Sequence, residues 1–397
     1  MFYQKLWNIA VLGPLLFVPI LAVEFPRILA YLPILPTLIG GFIVFKTKQK
    51  ITFPKTPLLL MILFFGYAVF QSIMFAVYGD ESLERLIKLL PIFLVGYLFL
   101  CVLYAGSHFT SKHFLKYLLF ACAIGAVFTV IEILSRGFFY EFSRETFQGN
   151  FVYNRGAVTI TFLTLCAFFL TKNKQSKLVV LLLVPLVTML FFVESQSSQI
   201  ALIIGIFLYF LYPVSKKIFW VLSYVFIAVC ILAAPYLVTL GFDALPDNIY
   251  DYEPLQQSFV GHRAEIWNFI SAQVLQNPLF GHGLEFTKFF DGFESEQRFL
   301  KSSSVLHPHN FIIQIWIEFG LVGILMAIGF LGVLMRALFS IEDLFFRRAA
   351  FTSTMLILLV SCFSYGMWQS WWLGLFFIVA AVYCAVAQTG DEKTKSA

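Results

Sequence analysis

Charge is scarce in this sequence. Charged residues make up 12% of the chain and hydrophobic residues 60%. A soluble domain carries roughly a quarter charged residues, so a soluble fold is excluded. Cysteine is also sparse. Cys101, Cys122, Cys166, Cys230, Cys362 and Cys384 each lie inside an apolar run, and none forms a CxxC pair. That pattern gives neither a disulfide framework nor a thiolate metal site; these side chains read as packing residues. The formal net charge is +5, but the basic residues are scattered, so no nucleic-acid patch is expected. Internal repeats, low-complexity tracts and a separate soluble domain are absent. So is a small-residue cleavage site after the first apolar run, which therefore reads as an uncleaved first span.

What is present is apolar sequence in long stretches. A bilayer core of roughly 30 Å needs about 20 apolar residues per helix. Twelve such segments lie near residues 6–23, 28–45, 56–78, 86–105, 113–134, 156–171, 177–194, 197–214, 218–240, 310–335, 349–367 and 370–388. The expected fold is an all-α polytopic membrane protein. It divides into a bundle over 1–240, a large loop over 241–309, and C-terminal spans with a short tail over 310–397. With the N-terminus inside, seventeen Lys and Arg residues fall in inner segments and ten in the much longer outer ones. That bias puts both termini in the cytoplasm and the large loop outside. The longest outer segments are 135–155 and 241–309, and the second holds four of the six histidines.

Within the large loop, Ile266, Ile270 and Val274 recur every four residues beside Trp267 and Phe269. This spacing predicts an amphipathic helix of about four turns with Arg263 in its first turn. Asn277 and Pro278 end it, and Gly281 and Gly283 allow a tight turn. The loop closes on His307-Pro308-His309-Asn310. Proline suits the first turn of a helix, which places His307 at the N-cap and His309 inside. The positive helix end there disfavours imidazolium and accommodates phosphate. Asn310, Gln314 and Glu318 continue at four-residue spacing as a polar stripe running into the membrane.

Several of these residues admit two readings. Arg263 can grip a diphosphate with its planar fork or snorkel to lipid headgroups. His309, if neutral, can serve as a general base or simply bond nearby backbone. Glu132 and Glu318 lie within spans, where carboxylates are costly and are paired or functional; Arg155 and Arg136 are the expected partners. Asp291 to Glu296 is a carboxylate-rich stretch that reads as solvated sequence, and His262 and His282 lack zinc spacing, so no metal site is assigned. Trp368, Trp371 and Trp372 read as an interfacial belt or as a platform for sugars.

The stretch RAEIWNFISAQVLQNPLFGHGLEF, with HPHNFIIQIWIEFGLVG after a short gap, resembles the O-antigen ligase and O-antigen polymerase superfamily. The layout, about a dozen spans with one large loop near the C-terminal third, is similar over nearly the whole chain. The resemblance implies a bundle like that of the GT-C glycosyltransferases, in the bacterial inner membrane with its large loop periplasmic. It implies transfer of a glycan from undecaprenyl diphosphate to lipid A-core (ligases) or to another repeat unit (polymerases), without a metal or nucleotide cofactor. The family's loop arginine falls on Arg263 and its essential histidine on His309, and the stretch YNRGA around Arg155 resembles a second family segment. Arg155, Arg136, His307, Asn310, Gln314 and Glu318 then become candidate substrate-binding residues. One departure stands out: where the family often has a Ser-Arg pair at the start of the eighth span, this chain has Ser198 in the arginine's place. A secondary transporter also suits twelve spans, but the repeated halves and interrupted helix pairs of transporters are not evident.

Overall fold

The computed structural model describes residues 2–143, 146–172, 176–246, 259–290, 292 and 305–387. Among them every regular element is helical. A chain in lipid must satisfy its backbone internally, and helices do so within one segment.

Among the described residues, nine helices are long and apolar enough to cross a membrane. They are α1 (Phe2–Glu24), α2 (Pro26–Lys46), α3 (Lys55–Met74), α4 (Gly79–Ala105), α5 (Phe114–Leu134), α6 (Asn150–Leu170, opening with a 3-10 turn), α9 (Lys217–Asp243), α11 (Phe311–Phe339) and α12 (Leu344–Ser361). Three further apolar helices are shorter: α7 (Lys177–Phe192), α8 (Gln196–Leu211) and α13 (Ser370–Val386). Each of the twelve apolar segments thus contains a helix among its described residues, and nine of these helices reach spanning length. The remaining major helix, α10 (Phe259–Gln276), lies in the large loop. This is a multi-pass membrane protein.

Burial separates the helices by role. In α6, 78% of the most apolar window is buried; in α9 the figure is 11%. The sequence of α6 explains its central place. Gly156 lets α1 approach so closely that an added Cβ would stand 2.8 Å from the Val23 Cα. Thr159, Thr161 and Thr164 return their hydroxyl hydrogens to the carbonyls of Arg155, Ala157 and Ile160 at 2.7–2.9 Å, so these three hydroxyls can be buried at little cost. Two hydrophobic clusters result. One gathers α1, α2, α5, α6, α7 and α13; the other gathers α3, α9, α10 and α11. The second supports the candidate site.

Helix α11 is broken at Gly320 (φ 60°, ψ −158°), a backbone region open essentially to glycine alone. The segment after α10 fills the break. His282 and Gly283 N–H groups donate to the Ile317 and Glu318 carbonyls at 2.7 and 3.0 Å, while Leu321 N–H donates to the Pro278 carbonyl at 2.8 Å. Gly281 (φ 70°) and Gly283 (φ 107°) supply the tight turn expected from the sequence. An added Cβ on Gly320 would stand 2.5 Å from the Leu279 backbone. Gly320→Ala therefore combines a steric clash with backbone strain of about 1–3 kcal/mol. It is expected to lower the melting temperature and the monodisperse yield in detergent. A variant as stable as the parent would show that this packing is dispensable.

Candidate active site

Helix α10 runs as the periodicity predicts. Ile266, Ile270 and Val274 are buried, and the helix packs on α9 and α11 rather than lying free on a membrane surface. It begins at Phe259, so Arg263 stands in the second turn, not the first. One turn further on, Trp267 donates its indole N–H to the Pro308 carbonyl at 2.7 Å. This bond ties the arginine's helix to the histidine turn.

The start of α11 differs from the sequence expectation. Asn310, not His307, is the N-cap, and its side-chain oxygen accepts from the Ile312 and Ile313 N–H groups at 2.9 and 3.2 Å. An Asn oxygen on a short side chain reaches these two donors and makes a strong cap; a bulkier imidazole does this less well. His309 therefore lies outside the helix, in left-handed backbone at φ 56°. That conformation is uncommon for a residue with a Cβ, though enriched for His and Asn. His307 and His309 face each other with ring centroids 4.2 Å apart.

The turn between α12 and α13 orients both rings. His309 Nδ1 lies 2.7 Å from the Ser364 carbonyl oxygen. A carbonyl only accepts, so Nδ1 carries the proton and Nε2 is the basic nitrogen. Nε2 has no hydrogen-bond partner among the described residues. Burial, followed by the nearby Arg263 charge, lowers the His309 pKa, while the Ser364 bond opposes that fall. His307 is pushed down to about 3 by burial, then by His309, Arg155 and Arg263. Both imidazoles are neutral at pH 7.

Two guanidinium groups share this neighbourhood. Arg155, at the start of α6, lies over the Trp371 ring at 5.8 Å. Arg155 and Arg263 both act electrostatically on His307 and on the phenol of Tyr365. Arg263 has no ion-pair partner among the described residues. Tyr365 is raised above the ordinary tyrosine value by burial, against the Ser197 and Ser195 hydroxyls and both arginines. The α8 start thereby joins the cluster. Ser195 caps α8, and Ser198, which occupies the place of the arginine in the resemblance, is buried with its hydroxyl 2.7 Å from the Ser195 hydroxyl. Arg136 is exposed, in the left-handed turn that closes α5.

Neither buried carboxylate pairs with an arginine in the way the sequence suggested. Glu132 accepts from the Phe139 and Tyr140 N–H groups at 3.1 and 3.0 Å and from the Tyr153 hydroxyl at 2.9 Å. Glu318 accepts from Gln314 Nε2 at 2.9 Å, the Glu285 N–H at 3.0 Å and the Trp368 indole. Neutral donors close at hand satisfy each carboxylate without desolvating a second charge. The nearby Glu285 carboxylate takes Arg85, at 2.8 Å. Gln314 also accepts from the Met367 N–H at 2.8 Å, so the polar stripe on α11 braces the 364–369 turn. Glu318→Ala would orphan three donors at about 1–3 kcal/mol each. It should sharply reduce folded protein, as read by thermal unfolding in detergent, whereas Glu318→Gln should be milder.

The tryptophans are not an interfacial belt. Trp368, Trp371 and Trp372 are 4%, 2% and 0% exposed. Each indole N–H has an internal acceptor, respectively Glu318, Gln369 and Ser361, which makes burial affordable and removes them as a platform for sugars. Asp291 to Glu296 lies outside the described residues apart from Gly292. The sequence reading missed Ser364, Tyr365, Gln369 and Trp267. A glycine and three polar residues inside the otherwise apolar run SYGMWQSWW were the available signal.

An all-helical multi-pass bundle thus carries two arginines and a carbonyl-oriented histidine, and residues 178–328 match the family model described as O-antigen ligase. That stretch contains Arg263, His307, His309 and Asn310. Relatives match over about three quarters of the chain. A Rickettsia conorii protein with the proposed designation polysaccharide ligase is 23% identical over 310 residues, 77% of this chain and 74% of its own. A Rickettsia typhi protein with the same designation is 24% identical over 318 residues, 78% of this chain and 76% of its own.

Proposed function

We propose that this protein is a glycosyltransferase that moves a glycan from undecaprenyl diphosphate to lipid A-core at the periplasmic face of the inner membrane. The observation that carries this reading is the meeting of Arg263 and Arg155 with an imidazole whose Nε2 is its unprotonated nitrogen. Arg263, with Arg155, holds the donor diphosphate; a guanidinium fork matches phosphate oxygens in pairs. The acceptor hydroxyl attacks the anomeric carbon as its proton passes to His309 Nε2. The new carbon–oxygen bond forms while the bond to the diphosphate oxygen breaks. Undecaprenyl diphosphate departs with its charge balanced by the arginines, and the anomeric centre inverts. The scheme employs neither metal nor nucleotide. Asn310, Gln314 and Glu318 hold the site in shape, and exposed Arg136 is offered as a further contact for the substrate. The Lys and Arg bias of the sequence supports cytoplasmic termini, with the loop on the required side.

The test is the glycolipid profile of a deletion strain, with complementation by the intact gene. Loss of long chains from lipid A, with polymer accumulating on undecaprenyl diphosphate, is the expected outcome. Lipid A capped with single repeats would instead assign repeat-unit polymerisation. An unchanged profile would overturn both.

A further inference from the structure

His307 is an imidazole for which the base mechanism has no use, and its surroundings are built in detail. The Trp371 indole N–H donates to Gln369 Oε1 at 2.7 Å. An indole N–H can only donate, so the amide oxygen must face Trp371 and the amide nitrogen must face away. That nitrogen lies 2.7 Å from His307 Nε2. An amide N–H can only donate as well, so His307 Nε2 is the acceptor and the proton of the neutral ring resides on Nδ1. His307 Nδ1 has no hydrogen-bond partner among the described residues. A buried N–H without an acceptor costs free energy and calls for a partner. Gly366 lies against the same ring, where an added Cβ would stand 2.7 Å from it, so the ring is clamped as well as wired.

We infer that Trp371 and Gln369 fix His307 as a hydrogen-bond donor through Nδ1, for an anionic oxygen of the substrate, and bar it from acting as a base. This rests on the reading of the site as a diphosphate-binding glycosyltransferase centre and adds a third donor to its anion grip. The charged and titratable groups around His307 point the same way. Arg155 from α6, Arg263 from α10 and His309 on its own turn all act on it, and Tyr365 stands beside both arginines. A cationic neighbourhood selects an anionic oxygen over a neutral sugar hydroxyl. The paired histidines thus take opposite roles, His309 offering a lone pair and His307 a proton.

Gln369→Glu separates this from a merely structural role. A carboxylate still accepts from Trp371, but its second oxygen now demands a proton on His307 Nε2. At low pH the ring is an imidazolium and keeps its Nδ1 donor. As pH rises it loses the Nδ1 proton, because Nε2–H is held by the carboxylate. Steady-state transfer from an undecaprenyl-diphosphate-linked glycan, in proteoliposomes, should then fall on the alkaline side, where the parent shows a plateau. The loss should appear as a rise in donor KM of about tenfold or more, the size of one charge-assisted hydrogen bond. His307→Phe should raise donor KM at all pH values, and His307→Asn, which restores a donor, should lose less. An unchanged pH profile in Gln369→Glu, equal effects of Phe and Asn, or a change confined to acceptor KM would overturn the inference. If His309→Asn abolishes transfer in the same assay while these variants behave like the parent, the donor role alone fails. If His309→Asn is fully active, the base reading itself fails.

Discussion

His309→Ala is expected to reduce transfer about a hundred- to ten-thousand-fold, the usual range for removing a positioned general base. Substrate KM should change little, because the imidazole acts on a proton in flight rather than on the bound ground state. His309 occupies left-handed backbone at φ 56°, so alanine adds strain to the loss of the base. His309→Asn avoids that confusion, since asparagine tolerates this conformation. Equal loss of kcat in both variants, with unfolding temperatures near the parent's, would assign the effect to the ring. Normal capped glycolipid in a complemented deletion strain would remove His309 from the chemistry.

Arg263→Ala should cost about a hundred- to a thousand-fold, by analogy with deletion of one electrostatic donor to a charge-developing oxygen. Arg263→Lys should recover only part of this, because an ammonium lacks the planar fork. A second signature lies in the pH profile. The base works only when His309 is neutral, so activity falls as pH drops through its pKa. In the parent that pKa lies below the ordinary 6.5, by burial first and then by the Arg263 charge. Removing the charge removes a downward influence, so the acid limb should move to higher pH in Arg263→Ala. A limb that stays in place, or moves to lower pH, would mean that the two groups do not share one site.

Much of this arrangement could be read from the residues alone. The buried face of α10, its stop at Asn277 and the glycine turn beyond it follow from four-residue spacing and local backbone chemistry. The twelve apolar segments follow from hydropathy. What escaped was competition between neighbours. Pro308 suggested a helix start, but Asn310 two residues later caps better, and this shift moved His309 out of the helix and His307 away from its cap. Gly320 inside an apolar run gives no local sign that a distant loop supplies the hydrogen bonds its break requires. The partners of Glu318 come from segments more than thirty residues away in either direction, at Glu285 and Trp368, and spacing along one helix cannot reveal them. Trp368 and Trp372 looked interfacial because their acceptors, Glu318 and Ser361, lie on α11 and α12.

The stitching of the Pro278–Gly283 turn into the gap at Gly320 has a mechanical consequence. Through it, and through the Trp267–Pro308 bond, the cationic clamp and the proton acceptor belong to one stiff unit. Under the proposed function, donor and acceptor would then meet groups whose spacing is already set before they bind. A substitution that loosens either tie would then be felt at both the arginine and the histidine, however far it lies from them along the chain.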